Sequence, residues 1–153
     1  MYDSLKGTVD HINNVRTKLN LIVNDLLVRM VNHDKSKTES PEKEGYDVFT
    51  PRLKESVYGS EEYWNMLGEM APILNHHYQN NSHHPEFYKD KIDGMNLLDL
   101  IEMLCDWKAA GERHKDGGSI VKSIEINAKR FDMSEQLKNI LLNTASYLEW
   151  IDA

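Results

Sequence analysis

Four of the chain's seven histidines fall within nine residues, as the pairs His76-His77 and His83-His84 in the stretch HHYQNNSHHPE. Neutral imidazole is the commonest protein metal ligand, and histidine is the side chain whose ordinary pKa lies nearest neutrality. A cluster this dense reads as a metal site or an acid–base site. A purification tag would sit at a terminus as consecutive histidines; this stretch is internal and paired. Carboxylates that can complete a site occur elsewhere: Asp34 directly follows His33, and Asp106 lies in a later apolar segment. Mixed imidazole–carboxylate sets suit Mn, Fe, Co, Ni or Zn better than Ca or Mg. With five or six ligands on offer, two ions are more plausible than one. Two ions roughly 3.5–4 Å apart activate a water and stabilise the leaving oxygen in phosphoester hydrolysis. Lys37, Lys54, Lys108 and Arg113 are the nearby cations that can hold a phosphate.

Composition narrows the classes. At 153 residues, with 40% hydrophobic and 28% charged residues, the chain reads as one soluble globular domain over 1–153. Its formal charge of −7 argues against a nucleic-acid surface, which needs a basic stripe. A small phosphorylated substrate stays open, because bound divalent cations supply positive charge locally. Cys105 is the only cysteine, which excludes an intramolecular disulfide and points to a reducing, cytoplasmic setting. Between Leu104 and Trp107 it reads as a buried, inert thiol. No run is long and apolar enough to span a membrane. The opening MYDSLKGTVD has no basic region followed by an apolar core, so no signal peptide is expected.

Periodicity then supplies the elements. Apolar residues at Leu5, Val9, Ile12, Val15, Leu19, Ile22, Leu26 and Met30 predict one helix over 3–33. Its apolar length hints at self-association, although a core helix would look the same. Residues 38–59, punctuated by Pro41, Gly45, Pro51 and Gly59, read as an irregular loop over the site. A helix is predicted from Ser60 to about Tyr78, kinked near Pro72. On it His77 lines up with Tyr63, Met66, Met70 and Ile73 on the apolar side, and His76 with Asn65 and Glu69 on the polar side. The interior ligand is therefore His77. Asn96 and Asp99 form a capping box for a helix over 96–110. Along it Asp99, Glu102 and Asp106 share one edge, and Asp106 sits where a carboxylate wants a cation. Helices at about 119–131 and 133–150 follow, the last opened by Asp132 and Glu135. Five helices and no convincing strand make an all-α, single-domain helical bundle.

Two resemblances follow from these residues. HDKSK at 33–37 resembles the HD-x-x-K signature of the HD-domain metal-dependent phosphohydrolases. That superfamily is all-helical and orders its ligands H…HD…(H…H)…D, with the bracketed pair in its two-metal members. His33-Asp34, the two histidine pairs and Asp106 fall in that order. The segment NHHYQNNSHHPEFY, with DLIEMLCDWKAA further on, resembles a family of small uncharacterised proteins frequent in phage and bacterial genomes. That likeness covers nearly the whole chain and carries no established activity. A phage-encoded chain would work in the host cytoplasm.

The HD resemblance implies a hydrolase using one or two transition metals on a small phosphate ester, most plausibly a nucleotide. His33, Asp34, His77, Asp106 and one or both of His83 and His84 would bind metal. Lys37 would orient phosphate, Lys54, Lys108 and Arg113 would help to hold it, and a metal-activated water would attack. Tyr46, Phe49 or Tyr58 would stack on a base. His11 takes the place of the superfamily's first histidine, with one departure. In a continuous helix it lies 22 residues from His33, roughly 33 Å along the axis. Either the helix breaks near Asn20 or Asn24, or His11 is not a ligand, or it serves a partner subunit. A di-iron oxygenase and a non-catalytic, metal-stabilised nucleotide-binding or regulatory protein are the alternative readings.

Overall fold

A computed structural model describes residues 3–57, 59–113 and 118–151. Among these the chain is all-α, with seven α-helices, three short 3-10 turns and no strand. It divides into two units, residues 1–33 and 34–153.

The first unit is α1, Leu5–Asn32. Its 28 residues make a rod about 42 Å long. Asp3 starts it by accepting the Leu5 amide at 2.9 Å. The helix is unbroken past Asn20 and Asn24, so the first of the three alternatives for His11 does not occur. It ends because His33 turns extended (φ −50°, ψ 126°) and Asp34 adopts a left-handed backbone at φ 55°. Aspartate tolerates that conformation better than most residues.

The second unit contains the remaining helices. α2 spans Glu42–Glu55, where a loop was expected. Glu42 and Glu44 in its first turn suit the positive end of the helix dipole, and Pro51 is carried inside the helix. Gly45 is a packing residue here rather than a breaker. A Cβ at position 45 would lie 2.6 Å from the Ile73 Cγ1, so the glycine lets α2 approach the next layer. The helix expected over Ser60–Tyr78 is instead two, α3 (Glu61–Glu69) and α4 (Ala71–Asn80). Met70 ends one and begins the other, and Pro72 sits in the first turn of α4, where its missing N–H costs nothing.

α5 (Leu97–Gly111) carries the expected capping box, with both reciprocal bonds formed between Asn96 and Asp99. α6 spans Ile120–Arg130 and α7 Glu135–Tyr147. Ser134, not Asp132, caps α7, accepting the Leu137 amide; Asp132 sits in the turn before it at φ 50°. Met103 and Leu104 of α5, Ile120 and Ile124 of α6, and Leu141 and Ala145 of α7 form the hydrophobic core with Phe131 and Met133. Cys105 faces away from this core and is exposed, contrary to expectation. Its thiol is pushed up by partial burial and by Glu102 and Asp106.

The α5–α6 junction tests this packing. Gly118 has φ 47°, and a Cβ there would lie 2.6–2.8 Å from backbone atoms of Gly111. Gly118→Ala is expected to cost about 2 kcal/mol or more, through left-handed strain and a clash with immovable backbone. Gly68, inside α3 with open space around its Cα, gives the opposite sign: Gly68→Ala should gain about 0.5–1 kcal/mol. Thermal melts should separate the pair, at roughly 2–4 °C per kcal/mol for a chain of this size.

Candidate metal centre

The site of the second unit is assembled from the turn after Asp34, α2, α4, the loop following α4, and α5. On α4, the 3.6-residue period puts His77 inward, where it is 1% exposed, and leaves the His76 side chain 40% exposed. Both rings are held by one carboxylate. Glu42, fully buried at the start of α2, accepts from His76 Nδ1 at 2.7 Å and His77 Nδ1 at 2.8 Å, and from the Ser36 hydroxyl at 2.9 Å. Burial alone would raise the Glu42 pKa; the bonds from His76, Ser36 and His77 outweigh it and hold the carboxyl below its ordinary range. Asn81 closes the network, donating to the His77 carbonyl and to Ser36 Oγ, each at 2.8 Å.

The second histidine pair sits in a loop pinned on both sides by Asp99. This buried carboxylate accepts from the Ser82 hydroxyl at 3.0 Å and the Tyr88 hydroxyl at 2.6 Å, besides capping its own helix. Between those anchors, His83 sets its Nδ1 3.2 Å from Glu102 Oε1 on α5. His77 and His83 thus each have Nδ1 on a carboxylate and Nε2 turned the other way. Both Nε2 atoms converge on Asp34: His77 at 3.3 Å and His83 at 3.4 Å from the same Oδ1. His84 joins them, its Nε2 2.9 Å from that of His77. Burial, together with His83 and His77, lowers the His84 pKa to about 2, so its ring is neutral and has a lone pair to offer.

Ligand atoms of Asp34, His77, His83 and His84 lie within 4.8 Å of one another, and this cluster can hold a metal ion. The donor set fits: three imidazoles and one carboxylate are transition-metal ligands. The spacing fits as well, because ligand atoms about 2.1 Å from a common centre stand about 3–3.5 Å apart. Carboxylates on the distal ring nitrogens are the usual means of fixing a metal-binding histidine's tautomer. Asp34 is held ionised: burial would raise its pKa, but the neighbouring His77 and His83 rings and the Lys37 ammonium keep it far below the ordinary range.

Beside the cluster opens a cavity of about 210 Å³. His77 and His84 reach it from the metal side, and Asp106 lines it from α5. A carboxylate oxygen of Asp106 also comes within 4.8 Å of one of Asp34. Lys37, Lys54, Arg113 and Arg130 supply positive charge to its walls, and Tyr46, Tyr63, Tyr78 and Trp107 supply rings. Lys37 is already engaged, its ammonium 2.5 Å from Asp34 Oδ2 and 5.0 Å from the centroid of the Tyr46 ring. Burial, with the charges of Asp34 and Glu42, raises the Tyr46 pKa and keeps its phenol protonated.

Lys108 and Phe49, also singled out in the sequence, lie outside the cavity lining. Lys108 pairs with Glu112 on α5 and is not among the cavity's lining residues. Phe49 stacks under the Arg52 guanidinium rather than lining the cavity. Tyr58 lies outside the described residues. His11 and His33 belong to the first unit, His11 exposed within α1 and His33 as its C-terminal cap. Sequence reasoning missed Glu42, Ser36, Asn81 and Arg130. Glu42 carries no local signal, since an acid at a helix start is expected for dipole reasons alone. Glu102 was visible only as one member of an acidic edge.

The Glu42 network should dominate local stability. Glu42→Ala is expected to cost about 3 kcal/mol in urea unfolding, since the buried His77 imidazole, the half-exposed His76 imidazole and a hydroxyl lose their acceptor. His76→Ala, at the solvent side of the same network, should cost about 1 kcal/mol.

No helix among the described residues is long and apolar enough to cross a membrane. Nothing among curated proteins or solved structures matches the chain. A family model matches residues 1–147 of the 153, and the chain therefore belongs to DUF5662, a family of unknown function.

Proposed function

We propose that the second unit binds one or two divalent transition metals through Asp34, His77, His83 and His84, and hydrolyses a small phosphate ester held in the adjoining cavity. The observation that supports this best is the convergence of two Nε2 atoms on one Asp34 oxygen, each ring fixed from behind by a carboxylate. A divalent cation held there supplies Lewis acidity to a water and to a phosphoryl oxygen. The ordered histidine and aspartate ligands, resembling those of HD-type hydrolases, favour the same class.

The chain's own residues have definable tasks in such a reaction. Lys37 fixes one Asp34 oxygen and leaves the other directed at the histidines. Asp106 faces the cavity from the metal side and can take the proton that the attacking water gives up. The water's oxygen bonds to phosphorus as the ester P–O bond breaks, and the departing oxygen is protonated from solvent. Arg113 and Lys54 stand at the cavity wall, where phosphoryl oxygens need cations. Protonated Tyr46 donates a hydrogen bond. The ring-lined remainder of the cavity suits an ester with a planar or apolar group, and a nucleotide is the leading candidate.

Elemental mass spectrometry of untagged protein is expected to find one to two equivalents of Mn, Fe, Co, Ni or Zn, lost in Asp34→Ala. Metal-loaded wild type should turn over in a screen of nucleotides and simple phosphate esters, and Asp34→Ala should fall by at least a factor of about 100. Retained activity in that variant would remove the proposal. Metal without turnover would leave a metal-stabilised binding protein instead. Arg113→Ala should raise KM about tenfold or more while changing kcat little, as for a lost bond to a charged group.

A further inference from the structure

α1 carries more than half of the exposed large apolar residues of the described chain. Of 21 exposed large apolar residues, twelve lie on this helix, at 41–77% exposure, and α1 has no buried residue. The pattern is a heptad repeat and not only a helical one. Leu5, Ile12, Leu19 and Leu26 recur every seven residues, with Val15 and Ile22 completing the alternate three–four spacing. A strict seven-residue repeat makes a seam that stays in contact only with another helix supercoiled around it.

The area is of the order an interface needs. Fully burying a Val, Leu, Ile or Met side chain removes roughly 60–120 Å² from water, so the eight exposed residues of the seam and its flank hold on the order of 250–500 Å² of exposed apolar surface. A stable interface of about 800 Å² per partner, somewhat over half of it apolar, requires about 450 Å². The identity of the seam residues points to more than two helices. Leucine at three of the four first core positions, Ile12 being the fourth, with β-branched Val15 and Ile22 at the second favours trimers and tetramers over dimers. Val9, Val23 and Met30 widen the seam on one flank, and they remain 44%, 51% and 68% exposed. Helices in larger bundles bury such flanking positions. Polar groups occur at the second core position only near the ends, as Thr8 and Arg29, the latter held to Asp25 at 2.6 Å.

We infer that copies of this chain assemble through α1 into a bundle of three or four helices. Light scattering coupled to gel filtration should give three or four times the chain mass of 17.8 kDa. The double substitution Leu19→Glu and Ile22→Glu, within the seam, should reduce the mass to one chain, with circular dichroism reporting that the remaining helices persist. Leu21→Glu, equally exposed but off the seam, should leave the assembly intact. A wild-type mass of one or two chains overturns the inference, whether or not the seam variant folds. So does an assembly that the seam variant leaves unchanged, or one that Leu21→Glu dissolves as readily. Binding to anionic vesicles by a single-chain species would assign α1 to a lipid surface and likewise overturn it.

Discussion

The buried carboxylate of Glu42 is the constraint on which the second unit turns. Taking a charge out of water costs several kcal/mol unless donors surround it. Here His76, His77 and Ser36 provide those donors, and they come from α4 and from the turn after Asp34. One side chain therefore ties three segments together, and its cost is recovered only when all three are in place. The same bonds decide the chemistry of His77. With Nδ1 committed to Glu42, Nε2 is the atom turned toward Asp34 and His84.

The second histidine pair obeys the same rule by a different route. Asp99 anchors its loop at Ser82 and Tyr88, and Glu102 orients His83 from the next turn of α5. α5 thus does two jobs along its length. Met103 and Leu104 enter the hydrophobic core with α6 and α7, while Asp99, Glu102 and Asp106 face the site. Rigid packing on one side is what lets the acidic edge act as a fixed frame on the other. Such an edge on an isolated helix would only repel itself.

Much of the helical layout was legible in the chain. α1 follows its apolar repeat almost to the residue, and α5 follows its capping box, because both signals are local: spacing along one helix and a reciprocal bond across three residues. The inward turn of His77 was legible for the same reason, as one more position in the row Met66, Met70, Ile73. α2 was not. Pro51 and Gly45 read locally as breakers, and the helix stands because Gly45 accommodates Ile73 and Glu42 is needed where it is. The break at Met70 was read as a kink near Pro72 within one helix, and the start of α7 was assigned to Asp132, two residues before the Ser134 cap.

Residue types and their order along the chain determined the all-α class, the histidine-rich donor set and the heptad seam of α1, since each depends on spacing along a single segment. Tertiary structure alone decided which atoms meet. That Glu42, 35 positions before His77, binds its Nδ1, or that Glu102 lies behind His83, depends on how separate helices pack. A buried carboxylate is specified by the groups around it, and those groups are distant in sequence. For that reason the candidate ligands were visible in the chain, and the pairing of Glu42 with His77 and of Glu102 with His83 was not.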